Sequence, residues 1–242
     1  MKLNAAYLKG YLSDTGKILS SPLRWEGQDW LAAALVVSAA AGLYAYDQDL
    51  KEWFQKKRNG TTDDIGKGLN ILGNPLYTLP ALGLVYLYGE WQESEKARRI
   101  GLLGAESMIL SEVFTAAVKF AGQRHRPESG DPYNRWDGPR FSTENLSFPS
   151  GHASAAFSLA RVIAEENDGP FIAPIAYGIA SLVALSRLNG NDHWSSDVFM
   201  GAAIGYFTAG AVLRYHRKKD SPFSLIPDVG GDRYGLLLSC RF

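Results

Sequence analysis

Long apolar runs alternate along the chain with short polar breaks that carry glycine and proline, and the apolar positions recur at helical rather than alternating spacing. Six stretches read as helices: Trp30–Tyr46, Leu76–Tyr88, Arg99–Phe120, Gly151–Glu166, Phe171–Leu188 and Asp197–Tyr215. Asp29 is placed to cap the first, Asp47 follows it, and Asn74-Pro75 marks the entry to the second. Thr61 and Asp64 have the spacing of a capping box and open a shorter helix through Leu72. Over residues 4–19, Tyr7, Leu8, Tyr11, Leu12, Ile18 and Leu19 fall at near-helical spacing. That suits an amphipathic arm packed on the rest of the protein, with a surface helix on lipid as the alternative. Only the tail, Tyr234–Phe242, reads as a strand. The pattern predicts an all-α fold, a bundle of six or more helices with a short strand-like C-terminal tail. The arm occupies 1–29, the helical domain 30–216 and the tail 217–242.

Composition narrows this only a little. A chain of 242 residues is long enough for one sizeable domain with a buried core. Lys+Arg and Asp+Glu both total 25, so no global field steers the protein toward nucleic acid, although a patch can still be basic. The single cysteine, Cys240, excludes an internal disulfide framework and a cysteine-based metal site. The apolar runs sit near the lower limit for crossing a bilayer, which takes about 20 residues. Glu106, Glu112, Lys119 and Arg161 interrupt them, and the mean hydropathy is −0.14. These features favour a soluble or peripheral protein, exported to a bacterial periplasm, over an integral six-span one. Lys9, Asp14 and Lys17 break any apolar run in the opening segment, so no secretory signal is legible there.

Three clusters at helix ends carry candidate chemistry. Lys119 and Arg126 lie two helical turns apart at the end of the third helix, Ser150, Gly151 and His152 open the fourth, and Ser186-Arg187 ends the fifth, ahead of His193 and Asp197. Arg187 presents a planar fork for two phosphate oxygens, and the amides at Ser150-Gly151 sit where the helix dipole favours an anion. Gly151 also lacks the Cβ that would hold a ligand away from the main chain. His193 and Asp197, spaced i, i+4, suit a carboxylate that holds one ring nitrogen and leaves the other as nucleophile. His152 then serves as general acid and later as base. No HExxH, CxxC or dense carboxylate cluster with ligand spacing is present, so neither a metal nor a cofactor is expected. His125 and His216 lie in basic runs and read as solvated faces or as an anion rim. The long polar segment Glu128–Phe148, with Arg135, Trp136, Arg140, Phe141 and Phe148, reads equally as a rim or lid over the pocket and as a packed surface loop.

Together the clusters resemble the signature of the type 2 phosphatidic acid phosphatase (PAP2) and vanadium haloperoxidase superfamily: Lys-x6-Arg-Pro, Pro-Ser-Gly-His and Ser-Arg-x5-His-x3-Asp. Here it stands as Lys119…Arg126-Pro127, Pro149-Ser150-Gly151-His152 and Ser186-Arg187…His193…Asp197, in order and with every spacing kept. The resemblance covers about Ile100 to Tyr215 and implies a helical bundle. It implies His193 as a nucleophile that forms a phosphohistidine, Asp197 as its orienting group and His152 as acid/base. Lys119, Arg126, Arg187, Ser150 and Gly151 would bind the phosphate.

The expectation is a metal-independent phosphatase acting on a phosphomonoester or pyrophosphate, either a small organic phosphate or a lipid presented at a membrane surface, with no nucleic-acid partner. A vanadium-dependent haloperoxidase on the same pocket is the nearest alternative, and halide oxidation that appears only with vanadate would distinguish it. The other is an inactive phosphate- or lipid-binding module, distinguished by anion binding without turnover.

Overall fold

The computed structural model describes residues 1–219, 223–230 and 233–240. Among them the chain forms α1 (Ala5–Leu19), α2 (Gly27–Ala45), α3 (Asp47–Lys57), α4 (Gly60–Gly73), α5 (Pro75–Trp91), α6 (Glu95–Gly122), α7 (Gly151–Glu165), α8 (Ile172–Asn189) and α9 (Ser195–Lys219). An antiparallel hairpin of β1 (Phe223–Gly230) and β2 (Arg233–Cys240) follows, with Phe223 opposite Cys240. The fold is all-α apart from this tail. Phe242, at the end of the expected tail strand, and the side chains of Leu12 and Leu19 lie outside the described residues.

Each of the six long helices read from periodicity is present, but the local chemistry at two helix starts differs from the expectation. Asp29 is not the cap of α2; it is the third helical residue, and its carboxylate accepts from the Glu26 amide at 3.1 Å. Helix α4 is capped two residues earlier than Thr61, by Asn59. Asn59 Oδ1 accepts from the Thr62 amide at 3.1 Å, and Thr62 Oγ1 accepts from the Asn59 amide at 3.0 Å. Asp47 is more consequential, because it does not simply follow α2. It begins α3, a charged helix with no apolar run to announce it, and its side chain is fully buried.

Helix α7 runs through the middle of the bundle, packed against α4, α6, α8 and α9. Its buried face is built from small residues, Ala153, Ser154, Ala155, Ala156, Ser158 and Ala160, which let neighbouring backbones come close. The crossing with α9 depends on this. A Cβ on Gly201 would fall 2.2 Å from the Ser150 carbonyl oxygen, and one on Gly205 would fall 2.1 Å from that of Ser154. Only glycine fits at either position, and the closeness fixes the start of α7 to the start of α9. A larger apolar cluster at the far end joins Leu103 and Leu110 of α6, Val162 of α7, and Val212 and Leu213 of α9. Ile18 of α1 is buried in it, so the N-terminal arm packs on the bundle.

The outward faces are apolar to a degree unusual for a surface in water. Ile175, Ile179, Leu182 and Leu185 form an exposed stripe on α8, and Trp30, Leu31, Leu35 and Val37 do the same on α2. Helices α2, α6, α8 and α9 are each long and apolar enough to cross a membrane.

Candidate active site

The C-terminal ends of α6 and α8 meet the N-terminal ends of α7 and α9 at one end of the bundle, and the sequence clusters converge there. The charges that bear on His152 are those of Arg187, His193, Lys119 and Arg126, so the sequence clusters share one neighbourhood. Ser150 caps α7, and its amide donates to the Asp197 carbonyl at 2.9 Å, so the first turns of α7 and α9 are joined directly.

His193 sits in the tight turn between α8 and α9 and is 5% exposed. Its Nδ1 lies 2.7 Å from the Ser147 carbonyl, an acceptor only, so Nδ1 carries the proton and Nε2 keeps its lone pair. Asp197 is not the hydrogen-bond partner the i, i+4 spacing suggests. Its Oδ2 is 3.8 Å from His193 Nδ1, beyond hydrogen-bond range. The carboxylate instead accepts from the Ser147 hydroxyl at 2.5 Å and the Trp194 amide at 2.9 Å, and so holds the segment that carries the carbonyl facing His193. Burial, with the charges of Lys119 and Arg126, holds the His193 pKa down to about 4, against the opposing pull of Asp197.

The basic residues are arranged in different ways. Lys119 donates to the Leu146 carbonyl, and Arg126 lies 3.5 Å from Glu128. Arg187 spans Asn70 of α4 and Asp192, the latter at 2.7 Å. Beside it a cavity of about 220 Å³ opens between α4 and the end of α8, lined in part by Arg58, Lys67, Asn70 and Arg187. At Gly151 a Cβ would fall 3.0 Å from Glu112 Oε2, so the glycine also makes room for the α6 carboxylate.

Arg124 is the residue that sequence reasoning misses. Fully buried, it donates to Asp197 Oδ1 at 2.6 Å, Asp47 Oδ2 at 2.8 Å, Ser196 Oγ at 2.8 Å and the Tyr133 carbonyl at 2.7 Å. Asp47 in turn accepts from the Ser196 amide at 2.9 Å. One guanidinium, placed just past the end of α6, therefore ties α3, α9 and the loop together. Its only sequence signal is a place two residues before Arg126, in a run where every basic residue looks like a phosphate ligand.

The remaining histidines correct the expectation of solvated faces. His125 is buried and lies 2.7 Å from Asp131 and 3.1 Å from Asp137, both on the Glu128–Phe148 loop. That loop is stitched to the end of α6 by backbone bonds from His125 to Arg135 (3.1 Å), Asp137 to Gln123 (3.1 Å) and Ser147 to Arg124 (3.0 Å). Trp136 and Phe148 pack edge to face within it, while Phe141 is almost wholly exposed. His216 is buried at the opposite end of the bundle.

A family model described as the PAP2 superfamily matches residues 101–221, half of the chain. Over 61 residues the chain is 41% identical to a lipid A 1-phosphatase of Porphyromonas gingivalis, covering 24% of this chain and 14% of that protein's length. A crystal structure of LpxE from Aquifex aeolicus superposes with a TM-score of 0.56 at 23% identity, over 70% of this chain and 95% of that one. A transmembrane PAP2-type phosphatidylglycerolphosphate phosphatase from Bacillus subtilis does so with a TM-score of 0.57 at 20% identity, over 78% and 95%. At these identities the two structures speak for a shared fold.

Proposed function

The chain belongs to the PAP2 superfamily, and from that premise we propose that it is a membrane-embedded phosphatase that removes phosphate from a lipid through a phosphohistidine on His193. The observation that carries this reading is the Nδ1–H of His193 held by the Ser147 carbonyl, which leaves Nε2 with its lone pair in the neighbourhood of His152 and the charges of Lys119, Arg126 and Arg187.

In the first step the His193 Nε2 lone pair attacks phosphorus as the ester P–O bond breaks, and His152 gives its proton to the leaving oxygen. The three cations and the amides at the start of α7 stabilise the charge spread over the equatorial oxygens. In the second, His152 takes a proton from water, whose oxygen attacks phosphorus. The P–N bond breaks, and its electron pair returns to Nε2. No step calls on a metal. The apolar stripes of α2 and α8, together with four helices of spanning length, support burial in a bilayer rather than the soluble or peripheral state the composition favours. A lipid substrate follows, because its phosphate then lies at the level of the site.

The test uses the full chain in detergent micelles with a 32P-labelled lipid monophosphate and diphosphate. A quench in alkaline SDS should trap a base-stable, acid-labile protein-bound phosphate on the wild type that His193→Ala lacks. Turnover retained by His193→Ala would overturn the assignment.

A further inference from the structure

Helix α3 lies outside residues 101–221, which match the family, and none of the three motif clusters draws on it. One face of it nevertheless touches the chain beside four of the candidate site residues. Asp47, Lys51 and Gln55 fall four residues apart and so share one side of the helix. Glu52, Trp53, Lys56 and Lys57 are exposed on the rest of it. At its start Asp47 accepts from the Ser196 amide at 2.9 Å, next to Asp197. One turn on, Lys51 Nζ donates to the Pro127 carbonyl at 2.9 Å, next to Arg126. The same ammonium stands 5.2 Å from the centre of the Trp194 ring, next to His193. A further turn on, Gln55 Nε2 donates to the Leu188 and Asn189 carbonyls at 3.1 and 3.2 Å, directly after Arg187.

Two of these contacts fall where the local backbone gives a cation little support. Arg126 comes four residues after α6 ends at Gly122, so helical hydrogen bonds do not fix it. Arg187 lies in the last turn of α8, where carbonyls run out of partners within the helix, and Gln55 supplies a donor to two of them. Lys51 is itself held, between a carbonyl and an aromatic face that attracts its charge.

We propose that Lys51 and Gln55 are positioning residues of the phosphatase reaction, with α3 as a brace: Lys51 sets the place of Arg126, and Gln55 sets the place of Arg187. Neither touches the substrate. This role rests on Arg126 and Arg187 being the phosphate ligands of the proposed reaction, and it is divided, because each brace residue acts through its own cation. Removing the Lys51 donor therefore costs anion affinity only while Arg126 is present to be misplaced. Gln55 stands in the same relation to Arg187.

The experiment measures orthovanadate binding to the full chain in detergent by isothermal titration calorimetry, beside kcat and KM for a lipid monophosphate. Lys51→Met should weaken vanadate binding about tenfold and raise KM in step, and Lys51→Arg, which keeps a charged donor, should recover most of the loss. With Arg126→Ala already in place, Lys51→Met should cost less than about twofold, whereas with Arg187→Ala in place it should cost the full about tenfold. Gln55→Leu should give the crossed result, a full loss beside Arg126→Ala and almost none beside Arg187→Ala. A general loosening of the fold would weaken every background alike. Equal losses in both backgrounds would therefore overturn the proposal, as would Lys51→Met and Gln55→Leu chains that bind vanadate as tightly as the wild type. If Lys51→Met does not fold, Gln55→Leu in the same two backgrounds decides. A wild type that binds vanadate but releases no phosphate would refute the phosphatase reading and leave the brace to be judged on binding; one that binds none would refute both.

Discussion

Arg124 and Asp197 are joined by a 2.6 Å ion pair with both side chains shut off from solvent, and the second guanidinium nitrogen holds Asp47 at 2.8 Å. The carboxylate beside the candidate nucleophile is therefore fixed from behind by a buried residue just past the end of α6. Breaking a buried pair leaves charge without compensation and costs about 3–5 kcal/mol. Arg124→Met is expected to lower stability by that order and to reduce kcat, because Asp197 and Ser147 lose their fixed positions. Arg124→Lys keeps the charge but not the fork, so it should restore part of the stability and little of the rate. Thermal unfolding and steady-state kinetics on the same preparations check both.

The pH dependence follows from His193. Its pKa is depressed to about 4, chiefly by burial, so the imidazole is neutral and nucleophilic above that value and protonated below it. As pH falls through about 4, kcat/KM should drop toward tenfold per unit, whereas an ordinary histidine would bring the limb in near 6.5. A pH–rate profile from 3 to 8, corrected for the separately titrated phosphate of the substrate, measures it. An acid limb at the ordinary value with no substrate contribution would refute the buried, neutral nucleophile.

The α7–α9 crossing offers a steric test. Gly201→Ala places a methyl where the Ser150 carbonyl now lies, and Gly205→Ala does the same at Ser154. Overpacking of this kind costs about 1–3 kcal/mol, so both substitutions should lower Tm similarly. Only Gly201→Ala displaces the turn that carries Ser150 and His152, and it should lose far more activity than its neighbour. Equal activity losses would show that the crossing acts only on stability.

The cavity beside Arg187 is lined by Arg58, Lys67 and Asn70 and also by Asp63 and Asp192, and Arg58, Lys67 and Arg187 are paired with Asp63, Asp64 and Asp192. A second phosphate on the headgroup would gain counter-charge there by displacing those carboxylates. Lys67→Ala should raise KM for a diphosphorylated lipid by roughly tenfold, the effect of one charged hydrogen bond, and leave a small monophosphate ester unaffected. A matched pair of substrates measured on one preparation decides it.

The stripe of Ile175, Ile179, Leu182 and Leu185 predicts membrane behaviour directly. The protein should sediment with membranes, resist an alkaline carbonate wash and enter solution only with detergent. Recovery in the soluble fraction without detergent would return the chain to the peripheral class.

The long helices were legible because apolar residues at a period near 3.6 report burial whatever the partner is. Helix α3 was not: DQDLKEWFQKK is charged around most of its circumference, and it is anchored by Asp47, whose partners are Arg124, just past α6, and Ser196 of α9. The candidate site was legible for a different reason. Lys119, Arg126, Ser150, His152, Arg187 and His193 are chemically distinctive and stand in short local strings. Arg124 and Glu112 carry no such mark, since their meaning lies in contacts with residues dozens of positions away. The same holds for Lys51 and Gln55. Average hydropathy carries less than the outward faces do, because buried charges such as Asp47, Glu106 and Arg124 lower a value that the exposed apolar stripes raise.

Because His193 and Asp197 follow α8 in the chain while Lys119, Arg126, Ser150, His152 and Arg187 come before the end of it, the site is completed by the last long helix to be made. A polypeptide interrupted after α8 carries Lys119, Arg126, Arg187 and His152 but neither the candidate nucleophile nor the carboxylate that pairs with Arg124. It also lacks Gly201 and Gly205, so the crossing that fixes the start of α7 cannot form, and a chain cut there is expected to lose the whole arrangement rather than keep half of it.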